Sequence, residues 1–327
     1  MPDRSPLGPL AAAVCLLLAV AGCGGQASAD SAGTNDGKPL RVTANFYPVE
    51  EAARAIGGDR VEVTDLTPPG GEPHDVELKP PQLADLERAD LVLYLGGGFQ
   101  PQVEKAVSSL PADARTVDLL SGVTLRPAQL GIPGVRGEVD GGPGSEALKG
   151  NRDPHVWVDP ARFIATAQRI RDALIAADPD GRSTYEANAR RYVATLRQLD
   201  GDFRAHLRHC AAPVLVTSHA AFGYLADRYG LTQAAIAGIS PEAEPDPKSL
   251  AATAAYAKRH GVTTVFFETL VPRQLAQTVA TTIGAKTDAL NPVEGLTHKE
   301  LDAGEGYVSI QRKNLAALVR GLRCTDA

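Results

Sequence analysis

Three observations predict an α/β fold. Strand-like and helix-like stretches alternate from Leu40 onward, several of the strand-like stretches are continuous apolar runs, and one periodic stretch is far longer than the rest. Runs such as Asp90–Leu95 (DLVLYL) suit parallel strands buried on both faces. In Ser183–Leu207 apolar residues recur at three- and four-residue steps: Tyr185, Ala189, Tyr192, Leu196, Leu199, Phe203 and Leu207. They form one stripe on a helix that is nearly 40 Å long at ~1.5 Å per residue. The expected architecture is two α/β domains, residues 39–180 and 210–327, joined by one long helix within 181–209.

In chain order, Leu40–Tyr47 (LRVTANFY) reads as a strand that runs into a helical stretch, Val49–Ile56. Arg60–Leu66 (RVEVTDL) is a second strand. Pro80–Ala89 is an amphipathic helix, and Asp90–Leu95 a buried strand. The Gly- and Pro-rich segment Arg126–Arg152 reads as a surface loop. Val156–Val158 is expected as a short strand and Pro160–Ala176 as a helix. Beyond the long helix the pattern restarts with strand Val214–Thr217, helix Ala220–Tyr229, strand Val262–Phe267 and helix Pro272–Ile283. Tyr307–Leu322 is the final helix. No internal sequence repeat is detectable.

The N-terminus carries a separate signal. Arg4 precedes an almost wholly apolar stretch, Leu10–Ala21, which is too short to span a bilayer at ~20 residues. Val20-Ala21-Gly22-Cys23 resembles the lipobox of bacterial lipoprotein signals. That resemblance implies a leader over 1–22, lipid on Cys23, and display on the outer face of the cell membrane. Residues 23–38, mostly Gly, Ser, Ala, Asp and Asn, read as a flexible tether.

The net charge is −6 with acids and bases interspersed, and no Lys/Arg block suggests nucleic acid as a partner. Of four cysteines, Cys15 lies in the leader and Cys23 takes the lipid. Cys210 and Cys324 remain, an even pair in an oxidising compartment. A disulfide between them is the favoured reading over a thiolate metal site.

Three histidines occupy similar places. His74 (GGEPHD) follows the strand 60–66, His155 (DPHVWVDP) precedes a helix, and His219 ends VLVTSH. Glu294 (LNPVEGL) follows a short β-rich stretch. Ligands of open α/β sheets bind beyond the carboxyl ends of strands. Each expected domain supplies two of the four candidates, so they meet in the interdomain cleft. Three imidazoles and a carboxylate suit tetrahedral zinc, whereas a hard cation favours more oxygen ligands.

The phrases VTANFYPVEEAARAIGG, GEPHDVELKPPQLADLERADLVLYLG, DPHVWVDP, VLVTSHAAFGYLADRYGL, LNPVEGL and YVSIQRKNLAAL span nearly all of the chain beyond the tether. They resemble the solute-binding lipoproteins of bacterial zinc and manganese ABC importers, the zinc-uptake branch in particular. The resemblance implies two α/β domains packed on a long rigid linking helix, with metal held between them. It also implies His74, His155 and His219 as ligands of transported Zn2+, and a membrane permease as partner. His219 favours zinc, because manganese members carry a carboxylate there. Glu294 matches the carboxylate of one zinc subgroup; Glu268 and water are the alternatives at the fourth position. Many zinc receptors have a His- and acid-rich loop before the second ligand motif. This chain has Gly134–Gly150 there, without histidine.

The other polar residues have plainer readings. Glu268 otherwise supports a ligand or caps a helix. Asp75 and Glu77 cap a turn or hold an imidazole, and Glu72 is solvated. Asp159 is a helix N-cap with Pro160 at the first helical position. His206, His209 and His260 sit at helix C-termini, His298 is exposed, and Trp157 is a packing anchor. Three function classes compete. The leading one is a monomeric, non-enzymatic metal receptor, with manganese or broader divalent specificity as its variant. A zinc hydrolase would need an open fourth position and a general base, and no HExxH is present. A surface adhesin is the third.

Overall fold

Two four-stranded parallel sheets, one from each half of the chain, have the same strand order. The computed structural model describes residues 38–128, 132–133, 152–242 and 245–325. The expected leader, Cys23 and the segment Gly134–Gly150 lie outside them.

The first half runs β1 (Leu40–Ala44), α1 (Tyr47–Gly57), β2 (Val61–Asp65), α2 (Pro80–Arg88), β3 (Leu91–Tyr94), α3 (Pro101–Ser108), β4 (Thr116–Asp118) and α4 (Pro160–Ala177). The long helix α5 (Arg182–His206, 25 residues) follows. The second half contains β5 (Val214–Thr217), α6 (Gly223–Tyr229), β6 (Thr232–Ala235), α7 (Pro247–Arg259), β7 (Thr264–Phe267), α8 (Gln274–Ile283), β8 (Lys286–Ala289), α9 (His298–Asp302) and α10 (Tyr307–Gly321). The sheets are ordered β2-β1-β3-β4 and β6-β5-β7-β8. In-register pairs such as Val42↔Val63 and Val216↔Ala234 keep like faces together.

Alternation along the strands divides the core. Leu40, Val42, Leu91 and Leu93 of the first sheet, with Leu215 and Phe266 of the second, point into one continuous cluster. That cluster includes Tyr185, Leu196, Leu199 and Phe203 of α5, so the apolar stripe read in the sequence is the seam shared by both halves. The opposite faces are separate. Val92, Leu86 and Val103 pack on the first sheet, and Val216, Val265, Ala257 and Val279 on the second. Helix α5 packs against α1, α4 and α10, and therefore touches both halves.

The central strands and the edge strand β2 match the sequence reading, β8 falls in the β-rich stretch expected before Glu294, and β4 and β6 go beyond it. Strands β4, β6 and β8 each lie at a sheet edge or next to only one partner, and β8 (KTDA) is largely polar and accessible. One expectation is overturned. Val156–Val158 is a buried 3-10 turn and not a strand. Its amides bond locally, Val156 to the Pro154 carbonyl and Val158 to that of His155, leaving no ladder for a neighbouring strand. Asp159 caps α4 by accepting from the Ala161 amide, with Pro160 at the first turn. Cys210 and Cys324 are disulfide-bonded, tying the start of the second half to the end of α10.

Candidate metal centre

His74, His155, His219 and Glu294 come together, with their candidate ligand atoms all within 4.8 Å of one another. The carboxyl-end loops deliver three of them: His74 after β2, His219 directly after β5, and Glu294 after β8. His155 arrives on the turn ahead of α4. His155 and His219 are fully buried and Glu294 is 1% exposed.

The two buried imidazoles are oriented by carboxylates. Asp153 Oδ1 accepts from the His155 backbone amide (3.0 Å) and from its ring Nδ1 (2.8 Å). Glu268 does the same for His219, at 3.0 Å from the amide and 2.7 Å from Nδ1. With Nδ1 carrying the proton in each neutral ring, the Nε2 lone pairs face inward. Trp157 and Phe99 wall this side, with ring centres 5.0 Å apart. His74 is held more loosely. Its ring meets Phe99 edge-on at 4.8 Å, its amide donates to Glu72 Oε1 (3.2 Å), and its side chain is 6% exposed.

Glu294 sits on a heavily constrained loop. Asn291 Oδ1 accepts from the Val293 amide, Asn314 bonds the Asn291 amide and carbonyl, and Trp157 Nε1 donates to the Pro292 carbonyl. These bonds hold Val293 at φ 60°, a left-handed conformation that is unfavourable for a β-branched residue. The result is a carboxylate aimed at the imidazoles.

The geometry fits a tetrahedral cation. Glu294 Oε1 lies 3.3 Å from both His155 Nε2 and His219 Nε2, and 3.8 Å from His74 Nε2. His74 and His155 Nε2 are 3.3 Å apart. Four ligands at ~2.0–2.1 Å from a tetrahedral centre stand about 3.3–3.4 Å from one another. Glu294 Oε1 and His219 Nε2 are buried without a hydrogen-bond partner. Buried acceptors converging without a donor are costly unless a cation lies among them.

The electrostatics follow. Burial opposes charge on His219, but the Glu268 and Glu294 carboxylates outweigh it and raise its pKa well above the usual value. Asp153 and Glu294 likewise overcome burial at His155 and raise it. For His74 burial prevails over Glu294 and lowers the pKa. Burial pushes Glu294 up, yet the three imidazoles hold it well below the usual carboxylate range.

Other sequence expectations divide. Glu268 supports His219 and is not brought into the ligand cluster, and Trp157 is the expected anchor. Asp75 and Glu77 are exposed, and among the described residues neither is bonded to an imidazole. Asp153 does that for His155, a role the sequence reading missed although the Asp-Pro-His spacing signals it: an Asp side chain readily accepts from the amide two residues on. Glu72, expected in solvent, is half-buried beside the site; burial and then the Glu294 charge push its carboxyl well above the usual range.

Residues 42–321 match the ZnuA family, described as zinc-uptake complex component A, periplasmic. This chain belongs to the ZnuA family. It is 37% identical over 308 residues to the high-affinity zinc uptake system protein ZnuA of Bacillus subtilis, covering 94% of both chains. It is also 37% identical over 310 residues to the zinc-binding lipoprotein AdcA of Streptococcus pneumoniae, covering 94% of this chain and 59% of AdcA, so it spans little more than half of that relative. Among solved structures, the Zn(II)-bound ZnuA-like domain of Streptococcus pneumoniae AdcA aligns with a TM-score of 0.71 and 35% identity, over 87% of this chain and 99% of that one.

Proposed function

We propose that the chain is an extracytoplasmic receptor that binds Zn2+ through His74, His155, His219 and Glu294 and passes it to the permease of an ABC importer. The observation that carries this reading is the inward convergence of three imidazole nitrogens and one carboxylate oxygen, three of the spacings being 3.3 Å and that of His74 to Glu294 3.8 Å, close to what a tetrahedral ion requires. A carboxylate in the fourth position closes the coordination shell, which favours holding an ion over activating water on it. We therefore read the chain as a binding protein and not a hydrolase. The relatives' names, zinc uptake protein and zinc-binding lipoprotein, support the receptor over the adhesin alternative.

The same proposal includes lipid attachment at Cys23, display on the outer face of the cell membrane, a monomeric state, and domain limits at 39–180 and 210–327 on either side of the linker 181–209. No helix among the described residues is long and apolar enough to cross a membrane.

Thermal unfolding of metal-stripped protein, with and without zinc, tests the receptor reading. Zinc at a thousandfold excess over Kd should add about 4 kcal/mol of stability. Identical melting in both conditions defeats it. Replacing Cys23 by Ser tests the anchor: protein still processed and still retained on the membrane would remove it.

A further inference from the structure

A site this deeply buried needs a passage. Two cavities approach it from different sides. One, of about 510 Å³, is lined by Glu268, Thr269, Val271, Arg273 and residues of α9 and α10. It ends at Glu268, on the Nδ1 side of His219 and away from the ligand nitrogens. The other, of about 350 Å³, ends at Glu294 itself.

The second cavity is lined by both buried and exposed residues. Its floor is Glu294 and Leu296, each 1% exposed. Its rim is Arg54, Pro68, Pro69 and Leu301, all exposed. Its wall carries Glu50 of α1 and Asp65 at the carboxyl end of β2. A divalent ion with six waters at ~30 Å³ each needs roughly 200 Å³, so the volume admits a hydrated ion. Beside it the two halves are joined by the Gly70 amide, which donates to the Leu296 carbonyl at 2.9 Å.

We infer that zinc enters and leaves through the cavity between the Pro68–Pro69 loop, Leu301 and the Glu294–Leu296 loop, with Glu294 as the first ligand an incoming ion meets. This rests on the receptor reading above. A carboxylate at the floor attracts the hydrated cation before any imidazole does, and ligand exchange then proceeds inward to the three Nε2 atoms.

A passage differs from a ligand in its kinetics. Obstruction slows arrival and departure equally and leaves the equilibrium unchanged, because Kd is the ratio of the two rates. Leu301→Trp and Pro69→Trp narrow the rim from opposite sides; Val271→Trp narrows the other cavity. Zinc association is followed by stopped flow, and release as the first-order phase that does not vary with chelator concentration. Either rim variant should slow both rates by about tenfold while Kd stays within about twofold of wild type. Val271→Trp should leave both rates unaltered. Unchanged rates in both rim variants, or slowing only in Val271→Trp, overturns the assignment. Wild-type protein that takes up no zinc defeats the receptor reading and the passage with it.

Discussion

The two halves share a strand order but secure their contributions to the site differently. In the first half, His155 is supported by Asp153, two residues away in the chain, and His74 has no carboxylate on its ring Nδ1 among the described residues. In the second half, His219 depends on Glu268, 49 residues further on, and Glu294 depends on Asn314 of α10 through the Asn291 loop. The first half thus has one rigid and one looser candidate ligand, each positioned locally. The second has two rigid candidate ligands that exist only when its whole sheet and last helix are assembled. Similar clamps tie both halves to α5. Arg60, Asp178 and Tyr185 meet near its start, and Arg228, Tyr229 and Asp200 near its end. Only Arg228 also reaches across, to Asp159 at the cap of α4 (3.4 Å).

The largest effects should fall on the ligands. His155→Ala and His219→Ala should each weaken zinc binding by more than about 100-fold, the upper range for losing even an outer partner. His74→Ala should cost less, because the looser side chain surrenders more freedom on binding. Calorimetric titration giving the reverse order would break the contrast between rigid and loose ligands.

Glu294→Gln should weaken zinc binding without unfolding the chain, because the Asn291–Asn314 bonds that fix its loop remain. In the metal-free protein it should also lower the His155 and His219 pKa values, which NMR titration of the imidazoles reads directly. Values that do not move would mean Glu294 is not facing those rings.

Asp153→Asn and Glu268→Gln should each reduce zinc affinity by about 10–100-fold. Only Glu268→Gln should also lower the melting temperature of the metal-free second half, since Glu268 links β7 to the end of β5. Equal melting losses in the two variants would erase the distinction between local and long-range support.

The smallest effects concern the clamps. Arg60 is 38% exposed on its side chain, so solvent screens its pair and Arg60→Gln should cost about 1–2 kcal/mol. Arg228→Gln removes a cation that Asp159 and Asp200 share, leaving them Arg162 and Arg204, and should cost about 1–3 kcal/mol. At Asp178 burial is outweighed by Tyr185 and Arg60, and at Asp200 by Arg228 and Tyr229, so both carboxyls titrate below their usual value. A depressed folded pKa stabilises above the unfolded value of ~3.9 and is lost as pH falls through the folded one. The Arg60→Gln penalty should therefore be full at neutral pH and shrink below about pH 4. A penalty that is the same at pH 7 and pH 3 would remove Asp178 as its cause.

Strands β1, β3, β5 and β7 were legible because they are buried on both faces and read as apolar runs. The outer strand β2 was legible too, through the alternation of RVEVTDL. Strands β4 and β6 were not, and β8 only as a β-rich stretch without limits, since an outer position relaxes the demand for apolar residues and TVD, TQAA and KTDA carry no period of their own. The long helix was read almost to the residue, because its stripe faces one continuous core. Among site residues, the four candidate ligands were named from the sequence and the structure brings them together, but their supports were only partly legible. Asp153 lies within the same phrase as His155. Glu72 stands two residues before His74, as Asp153 stands before His155, and accepts from its amide. Asn314 acts through a distance that no local spacing encodes, and the Val156–Val158 turn was misread because apolar β-branched residues look the same in a buried turn as in a strand.

The Cys210–Cys324 bond gives the second half a property apart from chemistry. Those residues form a closed covalent ring of sequence separation 114, and the first half and α5 lie outside it. Tension applied along the chain from its N-terminal side would pull out the first half and α5, then stop. At ~3.3–3.6 Å per residue, the ring withholds roughly 400 Å of contour that no force below bond rupture can release.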